Sequence, residues 1–444
     1  MTTTARRVGL VGATGIGVGS MLGAGVFSDM WVDVLAVDEW FLLAIAAAGL
    51  VALANALSTA QLAARYPVAG GAYTYGREEL GPLWRHLAGA AFVVGKTVSV
   101  AFAGVVLGVY VLPGHAQAVA CAAIALAWAL NARGITKTAG GATVIAVVVS
   151  VALAALVVVS LTTSTASFGW FAYAGMPLDP PVAGWAPPFL IAVAAAFFAF
   201  AGYARIATLG EEVRDPVRTI PRAIVIALAV VVALYLGVGL ALHRFFGSVP
   251  EGGIAAVDAP EGGEVVPPLH GAPLESLAFV VGVPVWIVAV VAGLSVFGAM
   301  LAVMAGAGRT AMAMARERDL PAWFAHQGES GAPWRAEAAV AVVAVALVWA
   351  PGVNLLLVSV VSILTYYGVA NVAAIRQRRA GRTATLRVPV WVSGTGLLAC
   401  AVLVLVAAPA ATGSWLALAV LALAVVGWPV TAWVARRSRG TRAQ

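Results

Sequence analysis

Apolar residues fill this chain in long unbroken runs, separated by short connections that hold most of its charge. The run ATVIAVVVSVALAALVVVSL (142–161) is apolar on every helical face. It therefore lacks both the 3.6-residue stripe of a surface helix and the two-residue alternation of a half-buried strand. About 20 such residues in a helix cross the roughly 30 Å hydrocarbon core of a bilayer. Cutting at charged and Gly/Pro-rich connections predicts spans over 8–32, 40–64, 86–111, 114–131, 142–162, 187–209, 221–243, 276–306, 336–350, 353–375, 388–408 and 413–434. The pattern is that of an all-α polytopic membrane protein with twelve transmembrane helices, since a membrane barrel would alternate apolar and polar positions.

Composition agrees: 62% of the residues are hydrophobic and 10% charged, against about 25% charged in soluble domains. Threading twelve spans puts 23 of the 26 basic residues on one side. By the positive-inside rule that side is cytoplasmic and holds both termini, in the cytoplasmic (plasma) membrane. The net charge of +7 follows from basic residues at cytoplasmic span ends, which meet anionic lipid; it does not indicate nucleic acid as a partner. The opening MTTTARR precedes an apolar run without a cleavage site before the next charges, so its removal as a signal peptide is not expected. The connection 244–275 is Gly/Pro-rich and acidic and reads as solvated. Cys121 and Cys400 lie inside apolar spans as packed thiols, and the five histidines lack ligand spacing, so no disulfide, metal or cofactor is implied.

One segment departs from the monotony. GIGVGSMLGAGVF (15–27) holds five glycines in thirteen positions. A dinucleotide loop is one reading of GATGIG, but Val18 occupies the place of the last glycine and no βαβ unit follows. In a membrane, the glycines are either notches for close helix packing, as the spacings Gly15–Gly19 and Gly19–Gly23 allow, or a deliberate break. A broken helix frees N–H and C=O groups, tolerated only where they line a site. Inverted-repeat transporters place a second break in the corresponding span of the other half. Here that is the sixth span, AAAFFAFAGYARIATLGEEV, with Gly202 among aromatics.

At these residues the chain resembles the amino acid, polyamine and organocation (APC) permease family over nearly its full length. Gly19-Ser20-Met21-Leu22-Gly23-Ala24-Gly25-Val26-Phe27 matches the family's glycine-rich unwound segment. Leu62-Ala63-Ala64-Arg65-Tyr66-Pro67-Val68-Ala69-Gly70-Gly71-Ala72-Tyr73 matches its L-A-x-R-x-P-x-x-G-G-x-Y signature. Phe198 to Tyr203, Glu211-Glu212-Val213-Arg214-Asp215-Pro216 and Arg218-Thr219-Ile220-Pro221 follow the pattern after the sixth span, and Arg309, Met314-Ala315-Arg316 and Leu320-Pro321 that after the eighth. The resemblance implies a five-plus-five inverted repeat of the bacterial leucine-transporter type. The repeats would occupy about 8–162 and 187–375, in a permease core of residues 1–380, with two further helices and a basic tail in 381–444. It also implies discontinuous first and sixth helices, alternating access and an amino acid bound at mid-membrane. Its carboxylate would meet N–H groups among Gly19, Ser20, Met21, Leu22, Gly23, Ala24 and Gly25. Its ammonium would meet carbonyls there and among Phe198, Ala199, Phe200, Ala201 and Gly202, with Phe198 as an aromatic gate. The loop motifs around RYPVAGGAY and EEVRDP are expected in cytoplasmic gating and folding.

Charges inside spans complete the picture. Lys96 lies eleven residues past Arg85, about 16 Å along the helix axis. A lysine at that depth needs a partner or a cavity. It is a candidate proton carrier, or a structural ammonium held by carbonyls of a broken helix. Several relatives carry a lysine in the fifth span where Ser150 stands here, so Lys96 is expected to replace it beside the first-span break. Arg205 is expected to snorkel to the cytoplasmic interface, and Asp29 and Asp33 to sit solvated at the outer end of the first span. The expected function is secondary active amino acid transport, by proton symport or exchange. The alternatives are a polyamine or organic-cation substrate, or a non-transporting amino-acid sensor. No Walker loop and no clustered nucleophile, base or metal set supports ATP drive or an enzyme.

Overall fold

Backbone groups in hydrocarbon find no water, so a lipid-embedded chain bonds them within helices, and the architecture is helical accordingly. The computed structural model describes residues 8–28, 30–66, 71–134, 139–163, 187–207, 209, 213–246, 272–382 and 386–412. The opening MTTTARR, Asp29, Pro67 to Gly70, Glu211, Glu212, most of the 244–275 connection and the predicted span 413–434 lie outside these residues. The helices are α1 (Leu10–Met21), α2 (Met30–Leu35), α3 (Phe41–Arg65), α4 (Ala72–Glu79), α5 (Pro82–Val111), α6 (Ala116–Ala132), α7 (Ala139–Thr162) and α8 (Pro188–Phe200). They continue with α9 (Ala204–Ala207), α10 (Pro216–Phe246), α11 (Pro273–Val280), α12 (Val285–Arg316), α13 (Trp334–Val348), α14 (Leu355–Arg379) and α15 (Val390–Thr412). Among the described residues, nine helical segments are long and apolar enough to cross a membrane. The predicted ninth span is realised as the 15-residue α13, about 22 Å long.

Local sequence sets several boundaries. Pro82 and Pro188 stand at the first turns of α5 and α8, where a missing N–H costs nothing. Asn354 caps α14 by accepting from Leu357 N at 3.0 Å. Gly81, at φ +106°, turns the chain between α4 and α5 through a conformation that favours glycine.

The interior is made of α14, α5, α3 and α8, with α12 and α15 against them. α7 lies at the edge and leaves Val144, Val147, Val148, Val151 and Val158 exposed. In a bilayer these valines face lipid tails, which are as apolar as the protein interior. Close approach in the core relies on small residues. A Cβ on Gly95 of α5 would lie 2.9 Å from Ser362 Cβ of α14, and one on Gly239 of α10 would lie 2.8 Å from Ile45 Cδ1 of α3.

Candidate substrate site at two helix breaks

α1 stops at Met21 and α2 resumes at Met30. Leu22 N still bonds Val18 O at 2.8 Å, after which the α-helical ladder ends. Glycine costs about 1 kcal/mol in a helix interior relative to alanine, so Gly23 and Gly25 weaken continuation here. Tertiary contact decides the place: a Cβ on Gly25 would lie 2.6 Å from Ala199 Cα. GATGIG is itself part of α1, which removes the dinucleotide reading. Among the described residues, none accepts a hydrogen bond from the N–H groups of Gly23, Ala24 or Gly25.

The second break is gentler than expected. α8 ends at Phe200, one 3-10 turn covers Ala201–Tyr203, and the single-turn α9 follows. With a single glycine in this stretch, the ladder tightens rather than opens. The two breaks touch. A Cβ on Gly202 would collide with the Ser20 carbonyl and lie 2.6 Å from Met21 N, so the second turn rests on the last turn of α1.

Of the residues expected at a site, the structure brings together Ser20, Met21, Gly25, Ala199 and Gly202 through these contacts. Gly19 faces α7, its Cβ position 3.2 Å from Ala146 Cβ, and Gly23 faces α12, 2.7 Å from Ala299 Cβ. Ser20 Oγ is spent on its own helix, donating to Ile16 O at 2.7 Å. Gly15 abuts Thr143 of α7 and Gly17 abuts Ile206 of α9, so both serve packing. Phe198 is half-buried and meets Phe102 of α5 edge-on, ring centroids 5.1 Å apart. Phe200 is fully buried against Tyr235, at 5.0 Å.

The structure adds residues that sequence reasoning missed. Tyr235 of α10 donates to Met21 O at 2.7 Å and lies 3.2 Å from Ala199 O. Tyr367 of α14 donates to Ala201 O at 3.0 Å, Ser295 of α12 donates to Leu22 O, and Trp31 Nε1 donates to Val26 O at 2.8 Å. For Tyr235 in VVALYLGVG (231–239) and Ser295 in AGLSVFGAM (292–300), the available signal was a single hydroxyl inside an apolar run, because a buried polar group is hydrogen-bonded.

At the Arg-rich end of the molecule, a buried network joins α4, α5 and the turn after α12. Arg85 meets Asp319 at 3.0 Å, His86 Nδ1 meets the other Asp319 oxygen at 3.0 Å, and Tyr73 donates to that oxygen at 2.9 Å. Arg85 and Arg77 also reach Glu317, each at 3.3 Å. Burial pushes the Asp319 carboxyl up, but His86, Arg85 and Tyr73 outweigh it and hold it below the ordinary 3.8. Tyr73 is raised above its ordinary value, first by burial and then by the Asp319 charge. The loop motifs converge here: Tyr66 donates to Glu79 at 2.8 Å, and Val8 O accepts from Arg214 N at 2.9 Å, tying the start of α1 to the loop before α10. The adjacent Tyr366 and Tyr367 connect the two regions, since Tyr366 OH accepts from Ala72 N at 2.9 Å while its neighbour holds Ala201.

Lys96 is half-buried on α5. Its Nζ lies 5.7 Å from the ring centroid of Phe92 on the same helix, and Phe92 in turn packs on Tyr366 at 5.0 Å. Ser150 Oγ donates to Ala146 O within α7. On the opposite side of the molecule, burial pushes the Glu275 carboxyl on α11 up to about 7. Asp33 is half-buried at the start of the chain's return from the break.

Comparison with known proteins decides what kind of molecule carries these breaks. The family profile described as amino acid permease matches residues 8–433. The chain belongs to the amino acid permease family. A Mycobacterium tuberculosis (strain ATCC 25618 / H37Rv) protein described as an uncharacterized transporter is 40% identical over 98% of the permease and 93% of its own length. The cationic amino acid transporter 7, chloroplastic, of Arabidopsis thaliana is 26% identical over 82% of the permease and 64% of its own length. Among solved structures, a mutant of the manganese transporter of Eremococcus coleocola has the same fold, with a TM-score of 0.59 at 13% identity over 95% of the permease and 92% of that chain. The permease is thus a polytopic membrane transporter whose relatives are transporters rather than enzymes.

Proposed function

We propose that the permease is a secondary active amino acid transporter of the cytoplasmic membrane, working by alternating access between two inverted repeats, with both termini in the cytoplasm. The observation that carries this reading is the meeting of the two breaks, Gly25 against Ala199 and Gly202 against Ser20, beside the N–H groups of Gly23, Ala24 and Gly25, which have no acceptor among the described residues. Backbone N–H groups released from a helical ladder are strong donors that a buried anion can satisfy. The substrate carboxylate therefore binds at Gly23, Ala24 and Gly25, and the ammonium binds carbonyls of Met21, Leu22, Ala199 and Ala201. Phe198, half-buried on Phe102, closes the site as its aromatic gate. The network around Asp319 closes the Arg-rich side, so opening toward the cytoplasm requires its separation.

Coupling is assigned to protons or to exchange. Lys96 is the proton carrier in this reading. Its link runs through Phe92 and Tyr366 to the start of α4, and so to the inner closure. The test is uptake and counterflow in proteoliposomes across a panel of amino acids and amines, with and without an imposed pH gradient. Accumulation or exchange of an amino acid supports the reading. Transport of amines alone supports the organic-cation alternative, and binding without transport supports a sensor.

A further inference from the structure

The carbonyls at the two breaks are not left open. The Tyr235 hydroxyl lies 2.7 Å from Met21 O on the first break and 3.2 Å from Ala199 O on the second. Tyr367 serves Ala201 O, and Ser295 serves Leu22 O. Each of these three donors is at most 3% exposed. The Tyr235 ring is held edge-on to Trp31, 6.4 Å between centroids, and tilted against Phe200 at 5.0 Å. Its hydroxyl therefore stands where one donor can bridge the two breaks.

A substrate ammonium carries three N–H donors where the Tyr235 hydroxyl shares one proton between two carbonyls, and the carbonyls of Met21 and Ala199 are among the acceptors proposed for it above. When an alternating-access carrier reorients, its site passes through a closed, water-poor state. Carbonyls left bare in that state cost the free energy of an unmade hydrogen bond. A carrier that cannot cover them without substrate reorients only when loaded, and so exchanges one substrate for another. A carrier that can cover them also returns empty, and so performs net transport.

We propose that the Tyr235 hydroxyl stands in for the substrate ammonium, capping the Met21 and Ala199 carbonyls in the empty site and so allowing the unloaded carrier to return. The inference rests on the amino-acid reading of the site and adds a mode of operation, net transport, that this reading leaves open. Tyr235 is a positioning residue in this account: the substrate displaces its hydroxyl, and release of the substrate restores it.

The test compares wild-type protein with Tyr235→Phe in proteoliposomes, using the amino acid that the wild type transports best. Net uptake is measured into vesicles without internal substrate, and exchange into vesicles preloaded with the unlabelled compound. The ratio of net uptake to exchange should fall about tenfold in Tyr235→Phe. The Kd of the detergent-purified variant should fall severalfold, because the hydroxyl no longer competes. Tyr367→Phe, which uncovers one carbonyl instead of two, should show the same split to a smaller extent. An unchanged ratio in Tyr235→Phe overturns the proposal, as does a weaker Kd, which would make the hydroxyl a direct substrate ligand. A wild type that exchanges but shows no net uptake overturns it while sparing the site assignment. A wild type that neither binds nor transports any amino acid overturns both.

Discussion

The two helix breaks touch at mid-molecule but differ in how far the backbone opens. The first runs from Leu22 to Ser28, and the N–H groups of Gly23, Ala24 and Gly25 within it have no acceptor among the described residues. The second is one 3-10 turn, Ala201–Tyr203, that flows directly into α9. Glycine content tracks this difference, with Gly23 and Gly25 in the first and Gly202 in the second. The roles separate accordingly. In the proposed site the first break offers N–H donors, and the second offers carbonyls and the turn on which the first rests.

The sharpest way to break this comparison is to restore side chains at the contact. Gly202→Ala puts a methyl into the Ser20 carbonyl, and Gly25→Ala puts one 2.6 Å from Ala199 Cα. Both neighbours are backbone atoms that cannot turn aside, so counterflow should fall at least a hundredfold in each variant. Gly19→Ala meets Ala146 Cβ at 3.2 Å on α7 and should retain most activity. Equal losses at all three positions would show that the glycines serve packing alone.

A second, smaller effect concerns the Arg-rich closure. Asp319→Asn removes the buried carboxylate facing Arg85 and His86 and leaves Arg85 only the half-exposed Glu317; breaking a buried pair costs about 3–5 kcal/mol. Thermal unfolding of the detergent-purified protein should show a clear fall in Tm. Because the folded Asp319 carboxyl is held below its ordinary 3.8, its stabilisation is present above that value and is lost as pH falls through the lowered one. The wild type should therefore lose its Tm advantage over Asp319→Asn in strong acid. A constant difference across pH would detach the stabilisation from the charge.

The smallest effect on substrate binding is expected at Lys96, half-buried on α5. Lys96→Ala should abolish the pH dependence of uptake while lowering substrate affinity by less than about threefold. Uptake with wild-type rate and pH profile would remove Lys96 from coupling.

Much of this was legible in the sequence, for identifiable reasons. Long apolar runs set the spans, and a local concentration of glycine marked the first break, because both are properties of contiguous residues. The mildness of the second break was not legible, since one glycine among aromatics is compatible with a tightened turn or a gap. The capping hydroxyls of Tyr235, Ser295 and Tyr367 escaped because each acts on a carbonyl far away in sequence. The Arg85–Asp319 pair, 234 residues apart, is of the same kind.

The central claim is that N–H groups of the first break read a carboxylate while the second break helps to hold the ammonium. The most direct measurement is competition against the best-transported amino acid by its own methyl ester and by the amine lacking the carboxyl group. The account predicts that both lose at least a hundredfold in apparent affinity, with the loss traced to the missing negative charge. Competition by either analogue as strong as that of the parent amino acid would contradict it.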